Sequence, residues 1–437
     1  MLTLIATLLT LATIALFLAN PRWGFLLALI AKPIVDTQWE HPVLMSLKLT
    51  EIFSVAVPTI GFLHLIFGTN KPMPFRDMPF RTLWLIYLAD ILLFSTLVFY
   101  QSGPSSGLNI FFRYVNGVFA YFFIQSYFYG PEKIRQFFAA LFIAGGFPIA
   151  VGMYQFLTGA QLRSQEVNDL VRNVGLYHDV ITSRYLALQA IFALLLFHHF
   201  RDRPKTIYRA ASYGYLLAAL IVLYKTYSKS GFAILALWHL TWNLLRRQYR
   251  GLIVAGAGIF VLSGYYLSEV FTAISDLFSK ELAFLDGSGE MNRTFNGRWY
   301  AWAEVYDQWD KQDFWGKFFG SGQLAMGSHN DYLQMLVHGG IFGLIIYLSL
   351  LMVIGMTLLR KLSLEKNLLT IGAIMVFEMW LVDALGLVPS AYPAYQWFIW
   401  GVIAIALRQP AHQSPSFADE SEPADTLDPP KPRWVFG

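Results

Sequence analysis

Cysteine is absent from this chain of 437 residues, and charged residues make up only 14% of it. The first absence excludes disulfides and thiolate zinc sites. The second matters because 56% of the residues are apolar and 17% are aromatic, so polar groups cannot cover the surface of such a chain in water. A formal net charge of +4 is too small to indicate a nucleic-acid partner. The composition therefore predicts a polytopic membrane protein.

Hydrophobic runs of membrane-spanning length recur along the chain. Because roughly 17 to 25 apolar residues cross a bilayer as a helix, we predict about thirteen spans within residues 1–408. They fall near 2–19, 22–36, 49–68, 82–100, 109–129, 137–157, 184–200, 211–226, 230–245, 251–268, 330–358, 368–387 and 394–408. The predicted fold class is all-α, a transmembrane helix bundle with about 12 or 13 spans.

Basic residues orient the predicted bundle. Short loops rich in Lys and Arg recur on one side of the span pattern, and by the positive-inside rule that side is cytoplasmic. These loops are 71–81, 132–135, 201–209, 246–250 and 360–366. The two long loops, 158–183 and 269–329, then face outward. The tail at 409–437 is rich in Pro, Ser, Asp and Glu, which predicts a disordered cytoplasmic segment.

The second long loop contains an amphipathic helix pattern. Arg298 precedes four aromatic residues with helical spacing, Trp299, Trp302, Tyr306 and Trp309. Charged residues occupy the opposite face. We expect this helix to lie on the membrane surface, with its aromatic stripe as an anchor in the headgroup region.

Positive charges in the outward loops run against the charge rule for that side. They are Arg163, Arg172, Arg184, Lys225, Lys229, Arg293 and Arg298. One interpretation is salt bridging with the acidic residues of the same loops, which are Glu166, Asp169, Asp179, Asp286 and Glu290. The other is a phosphate clamp, since the planar guanidinium group matches phosphate oxygens.

His329 stands where the second long loop enters the eleventh span. Its unperturbed pKa lies near 6.5, so a histidine beside an arginine cluster can act as the base of a transferase site. The competing interpretation is that His329 caps the helix, with Ser328 as the better cap. His338, deeper in the same span, is expected to be a buried packing residue.

Four short motifs carry a resemblance to a known family. The run SHNDYLQMLVHGGIFG at 328–343 resembles the signature of the O-antigen ligase and O-antigen polymerase superfamily. The upstream NGRW at 296–299, with Trp302 beyond it, is similar to the family's GR-x-x-x-W element. RNVGLY at 172–177 and YSKSG at 227–231 resemble the family's R-x-x-G and S-R-x-G elements. Lys229 stands where the last motif usually has arginine.

The resemblance implies a metal-independent inverting glycosyltransferase without a cofactor, acting at the outer face of the bacterial inner membrane. The donor would be a glycan on undecaprenyl diphosphate, and the acceptor either a second lipid-linked glycan or a lipid A core sugar. His329 and Arg298 would be catalytic. The substrate-binding residues would be Arg172, Lys229, Arg184, Arg293, Asn330, Tyr332, His178 and Trp302. His178 is assigned to the acceptor sugar, with hydrogen bonding inside its loop as the alternative.

Three other functions stay open on the sequence. A ligase and a polymerase share one donor, and we lean to the polymerase of a surface or secreted polysaccharide. A lipid-linked glycan flippase or secondary transporter would also have about a dozen spans and charges within them, such as Asp90 and Glu378, but its polar residues would concentrate at mid-membrane. A structural partner in polysaccharide export would leave the outward Arg and His residues without a role.

Overall fold

The computed structural model describes a helical bundle, which confirms the predicted all-α class. The described residues are 1–44, 47–68, 75–160, 162–167, 170–199, 206–250, 283, 298–325, 327 and 329–408. Twelve of the predicted spans coincide with described helices. The remaining span at 251–268, Arg293 and the tail at 409–437 lie outside the described residues.

The helices follow one another with few other elements. They are α1 (Leu2–Ala19), α2 (Pro21–Val35), α3 (Leu49–Phe67), α4 (Arg81–Ser102), α5 (Pro104–Tyr127), α6 (Pro131–Thr158), α7 (Val180–His199), α8 (Thr206–Lys225), α9 (Lys229–Leu245), α10 (Arg298–Asp310), α11 (Phe314–Phe319), α12 (Asp331–Leu364), α13 (Leu368–Gly386) and α14 (Pro393–Arg408). Seven of those in the described ranges, namely α1, α3, α4, α5, α6, α12 and α13, are long and apolar enough to cross a membrane. The apolar stretches of α7 and α8 are shorter.

Two antiparallel hairpins lie in the loops that were predicted to face outward. Strand β1 (Pro42–Leu44) pairs with β2 (Leu47–Lys48), and β3 (Ser164–Val167) pairs with β4 (Leu170–Asn173). The first long loop is therefore partly ordered by its own backbone pairing. This pairing fixes the position of Arg172, which lies opposite Gln165.

Local sequence signals set where many helices begin. Proline occupies the first turn of α2, α5 and α6, where its missing N–H costs no helical hydrogen bond. Side-chain oxygens of Ser228, Asn330 and Asn367 accept hydrogen bonds from the first turns of α9, α12 and α13. These caps lie at the ends of the bundle, so they also determine how the loops enter it.

The core is built around α5 and α14, which are buried along most of their lengths. The indole of Trp397 on α14 packs against the rings of Phe25 and Phe119 and donates from Nε1 to Asn116 Oδ1 at 2.9 Å. This hydrogen bond satisfies a buried indole N–H inside an otherwise apolar contact. The central pair thus supports the helices that carry the polar loops.

Two contacts at the ends of the helices join segments that are far apart in the sequence. At the end predicted to face outward, which we call the outer end, the hydroxyl of Tyr392 donates to Asp179 Oδ2 at 2.7 Å. At the opposite end, Arg408 donates to the carbonyl oxygen of Gln125. Each contact joins segments that the charge pattern had placed on the same side.

Helix α12 is broken near its outer end. Gly340 has φ 65° and ψ −165°, which is not helical, and the backbone of Phe318 occupies the space of its missing side chain, 2.4 Å from an added Cβ. Gly320 in turn lies against the carbonyl group of His338. The short helix α11 therefore docks by its end into the break.

We expect Gly340→Ala to undo this docking, because alanine disfavours a positive φ and its Cβ would overlap the Phe318 backbone. The predicted cost is roughly 1–3 kcal/mol of folding free energy, measured as a lower melting temperature of the purified protein. Gly214→Ala on α8 is the control, since an added Cβ there meets nothing within 4 Å. Equal melting temperatures for the two variants would contradict the close approach at Gly340.

Candidate active site

His329 lies at the outer end, directly before α12. Its backbone is left-handed, with φ 47°, a conformation that is uncommon for a residue with a side chain. Asn330 is the N-cap: its Oδ1 accepts from the N–H of Leu333 at 3.0 Å, and its Nδ2 donates to the carbonyl oxygen of Leu385 at 3.2 Å. The interpretation of His329 as the helix cap is therefore wrong. Asn330 does the capping, and the side chain of His329 lies at the rim, partly exposed to solvent.

Asp331, which the sequence analysis did not single out, holds the start of α12 in place. Its buried carboxylate accepts from the hydroxyl of Tyr347 at 2.9 Å and from that of Ser390 at 2.5 Å. Trp380 Nε1 donates to the same tyrosine hydroxyl at 2.9 Å. The start of α12 is thus tied to the connection between α13 and α14. An acidic residue next to the His-Asn pair was the only sequence signal for this role.

Arg298 begins α10 and lies on the face by which that helix contacts the bundle. Trp302 and the buried Val305 follow at helical spacing on this face. The Arg298 guanidinium group approaches the end of α13, where an added Cβ on Gly386 would lie 3.1 Å from Nη1. The carbonyl end of a helix favours a cation. Glycine at this position leaves the space that the guanidinium group occupies.

Arg172 reaches the same region from strand β4. Its Nη2 donates to the carbonyl oxygen of Tyr227 at 2.7 Å, which ties the first long loop to the turn between α8 and α9. Its Nε is shielded and has no hydrogen-bond partner among the described residues. Burial and the positive charge of Arg298 lower the pKa of Arg172. The two guanidinium groups are therefore close enough to repel each other.

The charges around His329 have opposite effects on it. Partial burial and the positive charge of Arg298 lower the pKa of the imidazole, whereas the carboxylate of Asp179 raises it. Asp179 is itself held by the N–H of Thr182 at 3.0 Å and by the Tyr392 hydroxyl. The net lowering favours neutral imidazole near neutral pH, and neutral imidazole is the form that accepts a proton.

Arg184 lies apart from Arg172, Arg298 and His329, which corrects the prediction that it binds substrate. Its two terminal nitrogens each donate to an oxygen of Asp383 at 2.7 Å, and both side chains are 1% exposed. The hydroxyl of Tyr395 also donates to Asp383, at 2.8 Å. Arg184 further contacts Ser230 at the start of α9. The charge of Arg184 is neutralised, so it supports the site from inside the bundle.

The other candidate residues differ in their positions. Lys229 is the first residue of α9, two positions after the carbonyl group that Arg172 contacts. Tyr332 is half-buried and packs near Tyr347, with ring centroids 6.0 Å apart. Trp302 packs against Trp299, also with ring centroids 6.0 Å apart, while Tyr306 and Trp299 are exposed. The packed face of α10 is therefore rotated relative to the predicted stripe.

His338 and Glu378 lie among packed helices and have polar partners. The His338 side chain is 1% exposed; its Nδ1 lies 3.3 Å from the Tyr114 hydroxyl, and its Nε2 accepts from the N–H of Ala325 at 3.3 Å. Glu378 accepts from the hydroxyl of Thr241 at 2.8 Å. His338 is thus the buried packing residue that the sequence indicated. Within the described ranges, no group of three or more His, Cys, Asp or Glu residues is placed to hold a metal ion.

Comparison with known proteins supports the resemblance read from the motifs. The profile of the O-antigen ligase family matches residues 214–348, a stretch that includes Lys229, Arg298 and His329. This match confirms the resemblance to the O-antigen ligase and polymerase superfamily, and it supports a membrane glycosyltransferase. Arg172 precedes the matched stretch. None of the curated proteins gives a match to this chain.

Asp383→Asn provides a test of the buried ion pair. Leaving the Arg184 charge without its counterion inside the bundle should cost about 3–5 kcal/mol of folding free energy. The measurement is thermal unfolding of the purified protein. Asp307→Asn is the control, because the ion pair of Asp307 with Lys311 is largely exposed and should matter little. Similar melting temperatures for both variants would show that Arg184 is not held as a buried pair.

Proposed function

We propose that this protein is a glycosyltransferase of the bacterial inner membrane, with its active site at the periplasmic face. It would transfer a glycan from undecaprenyl diphosphate to the hydroxyl group of an acceptor sugar. The observation that supports this proposal is that the charge of Arg298, in the second long loop, acts both on Arg172, in the first long loop, and on His329, directly before α12. The match to the O-antigen ligase family supports the same class.

In the proposed reaction His329 is the general base. Its neutral imidazole accepts the proton of the acceptor hydroxyl as the oxygen attacks the anomeric carbon of the donor sugar. The bond from that carbon to the diphosphate oxygen breaks on the opposite face, so the configuration inverts. The electron pair leaves with undecaprenyl diphosphate, and the imidazolium then releases its proton to solvent.

Arg298 and Arg172 stabilise the leaving diphosphate in this proposal. Their guanidinium groups lie close enough for the charge of Arg298 to lower the pKa of Arg172. An anion between them would relieve that repulsion, and preorganised donors stabilise charge that develops in a transition state. The proposed reaction is metal-independent, because the two cations neutralise the diphosphate. Lys229, at the start of α9, would add a point charge.

For the acceptor we propose a second lipid-linked glycan, which makes the enzyme a polysaccharide polymerase that works with export proteins. Ligation to lipid A core is the alternative. Incubation of the purified protein with an undecaprenyl diphosphate-linked repeat unit, with and without lipid A core, separates the two. A product ladder without core indicates a polymerase, and modified core alone indicates a ligase. The absence of both products would refute the proposed function.

Arg298→Ala and His329→Ala should each lower glycan transfer by at least about a hundredfold, since one removes the diphosphate contact and the other removes the base. Transfer is measured in the incubation described above, with EDTA present throughout. Arg76→Ala is the matched control, because Arg76 is 81% exposed and lies in a loop at the opposite end. Full activity in either active-site variant would contradict the assigned roles.

The pH dependence tests the role of His329 as base. The carboxylate of Asp179 raises the pKa of His329, so Asp179→Asn should lower that pKa and keep the imidazole neutral in more acidic solution. The acidic limb of kcat/KM should therefore move to lower pH. Asp307→Asn, on the exposed face of α10, should leave the profile in place. A shift of the limb to higher pH in the Asp179 variant would exclude this electrostatic coupling.

A further inference from the structure

A cluster of four side chains joins two outer-end loops beside the candidate active site. We call Trp39, Glu40, Arg163 and His178 the Trp39 cluster. The Arg163 guanidinium group lies over the Trp39 ring at 4.6 Å and forms an ion pair with Glu40. The His178 ring stands edge-on to the Trp39 ring, with centroids 4.3 Å apart. The loop after α2 is thereby joined to both ends of the first long loop.

The Trp39 cluster is connected to His329 through Asp179. The Nδ1 of His178 lies 3.8 Å from Asp179 Oδ2, and the charge of Asp179 acts on the His329 imidazole. The other charged neighbour of His329 is Arg298, which also acts on Arg172. His329 thus has Arg298 and Asp179 as charged neighbours of opposite sign. The cluster adjoins His329 by way of Asp179.

The cluster presents polar groups to solvent around an aromatic ring. The side chains of His178, Glu40 and Arg163 are 65%, 46% and 33% exposed. The shielded Nε1 of Trp39 has no hydrogen-bond partner among the described residues. Buried polar atoms of this kind are usually satisfied, so an entering hydroxyl group or water would complete them.

The charge balance of the cluster indicates what it binds. Arg163 and Glu40 neutralise each other, so the cluster has little attraction for a phosphate group. Paired charged groups still donate and accept hydrogen bonds at their exposed edges, and an aromatic ring adds apolar contact area. This combination of an aromatic ring, a carboxylate, a guanidinium group and an imidazole suits the hydroxyl-rich but uncharged surface of a sugar.

We propose that the Trp39 cluster is the subsite for the acceptor glycan, in which Glu40 and His178 hydrogen-bond the hydroxyl groups of the sugar next to the attacking one. This inference rests on the proposed glycosyl transfer. It assigns the acceptor to the Asp179 side of His329 because the diphosphate of the donor requires the arginine pair. The alternative is a purely structural role, in which the cluster only holds the two loops together.

Glu40→Gln and His178→Ala test the subsite with two measurements on the purified full-length protein. The first is transfer from the lipid-linked repeat unit as the acceptor concentration varies, with lipid A core in one series and the repeat unit itself in the other. The second is binding of undecaprenyl diphosphate, which carries no glycan. His41→Ala, an exposed residue next to Glu40, and Glu132→Gln, exposed at the opposite end, are the matched controls.

We expect the acceptor KM of each cluster variant to rise roughly tenfold, as for loss of a hydrogen bond worth about 1.4 kcal/mol, with unchanged binding of undecaprenyl diphosphate. Neither control should change. If the wild-type protein transfers glycan and both cluster variants keep its acceptor KM, the subsite is refuted while the proposed function stands. Loss of undecaprenyl diphosphate binding in the cluster variants would also overturn it, since the cluster would then only support the arginine site. Absence of transfer by the wild type refutes the proposed function instead.

Discussion

The two hydrogen bonds accepted by the buried carboxylate of Asp331 hold the site together. They connect the start of α12 to Tyr347, which lies further along the same helix, and to Ser390, in the connection between α13 and α14. Because Asn330 caps the helix and also binds the end of α13, the residues that follow His329 are held in place. That restraint explains how a side-chain-bearing residue keeps a left-handed conformation, which costs energy and persists only where its surroundings impose it.

The fold also brings two cationic side chains, Arg298 and Arg172, into electrostatic range of each other. Arg298 and Arg172 come from different loops, and burial together with the charge of Arg298 lowers the pKa of Arg172. Arg184 lies elsewhere, within the bundle, where Asp383 neutralises its charge. Arg184 therefore stabilises the fold, whereas Arg298 and Arg172 are the two arginines that we propose for the anionic diphosphate.

The sequence predicted the helical class and most helix positions, because hydropathy reports those features directly. It misassigned Arg184, since the partner of that residue lies 199 positions away and no local pattern announces such a pair. It also missed Asp331, whose role depends on Tyr347 and Ser390. The predicted face of α10 differs from the packed one, because the aromatic spacing gave no weight to the buried Val305. Long-range packing, which one sequence does not display, decides all of these.

The break at Gly340 divides α12 into two mechanical parts. The outer part, from Asp331 to Gly339, directly follows His329 and Asn330 and is oriented by α11 and by the α13–α14 connection. The inner part runs on to Leu364 as a long apolar helix. Long transmembrane helices tilt when bilayer thickness changes. Because the helical backbone is interrupted between the two parts, a change in the tilt of the inner part does not have to reorient the residues at the start of the outer part.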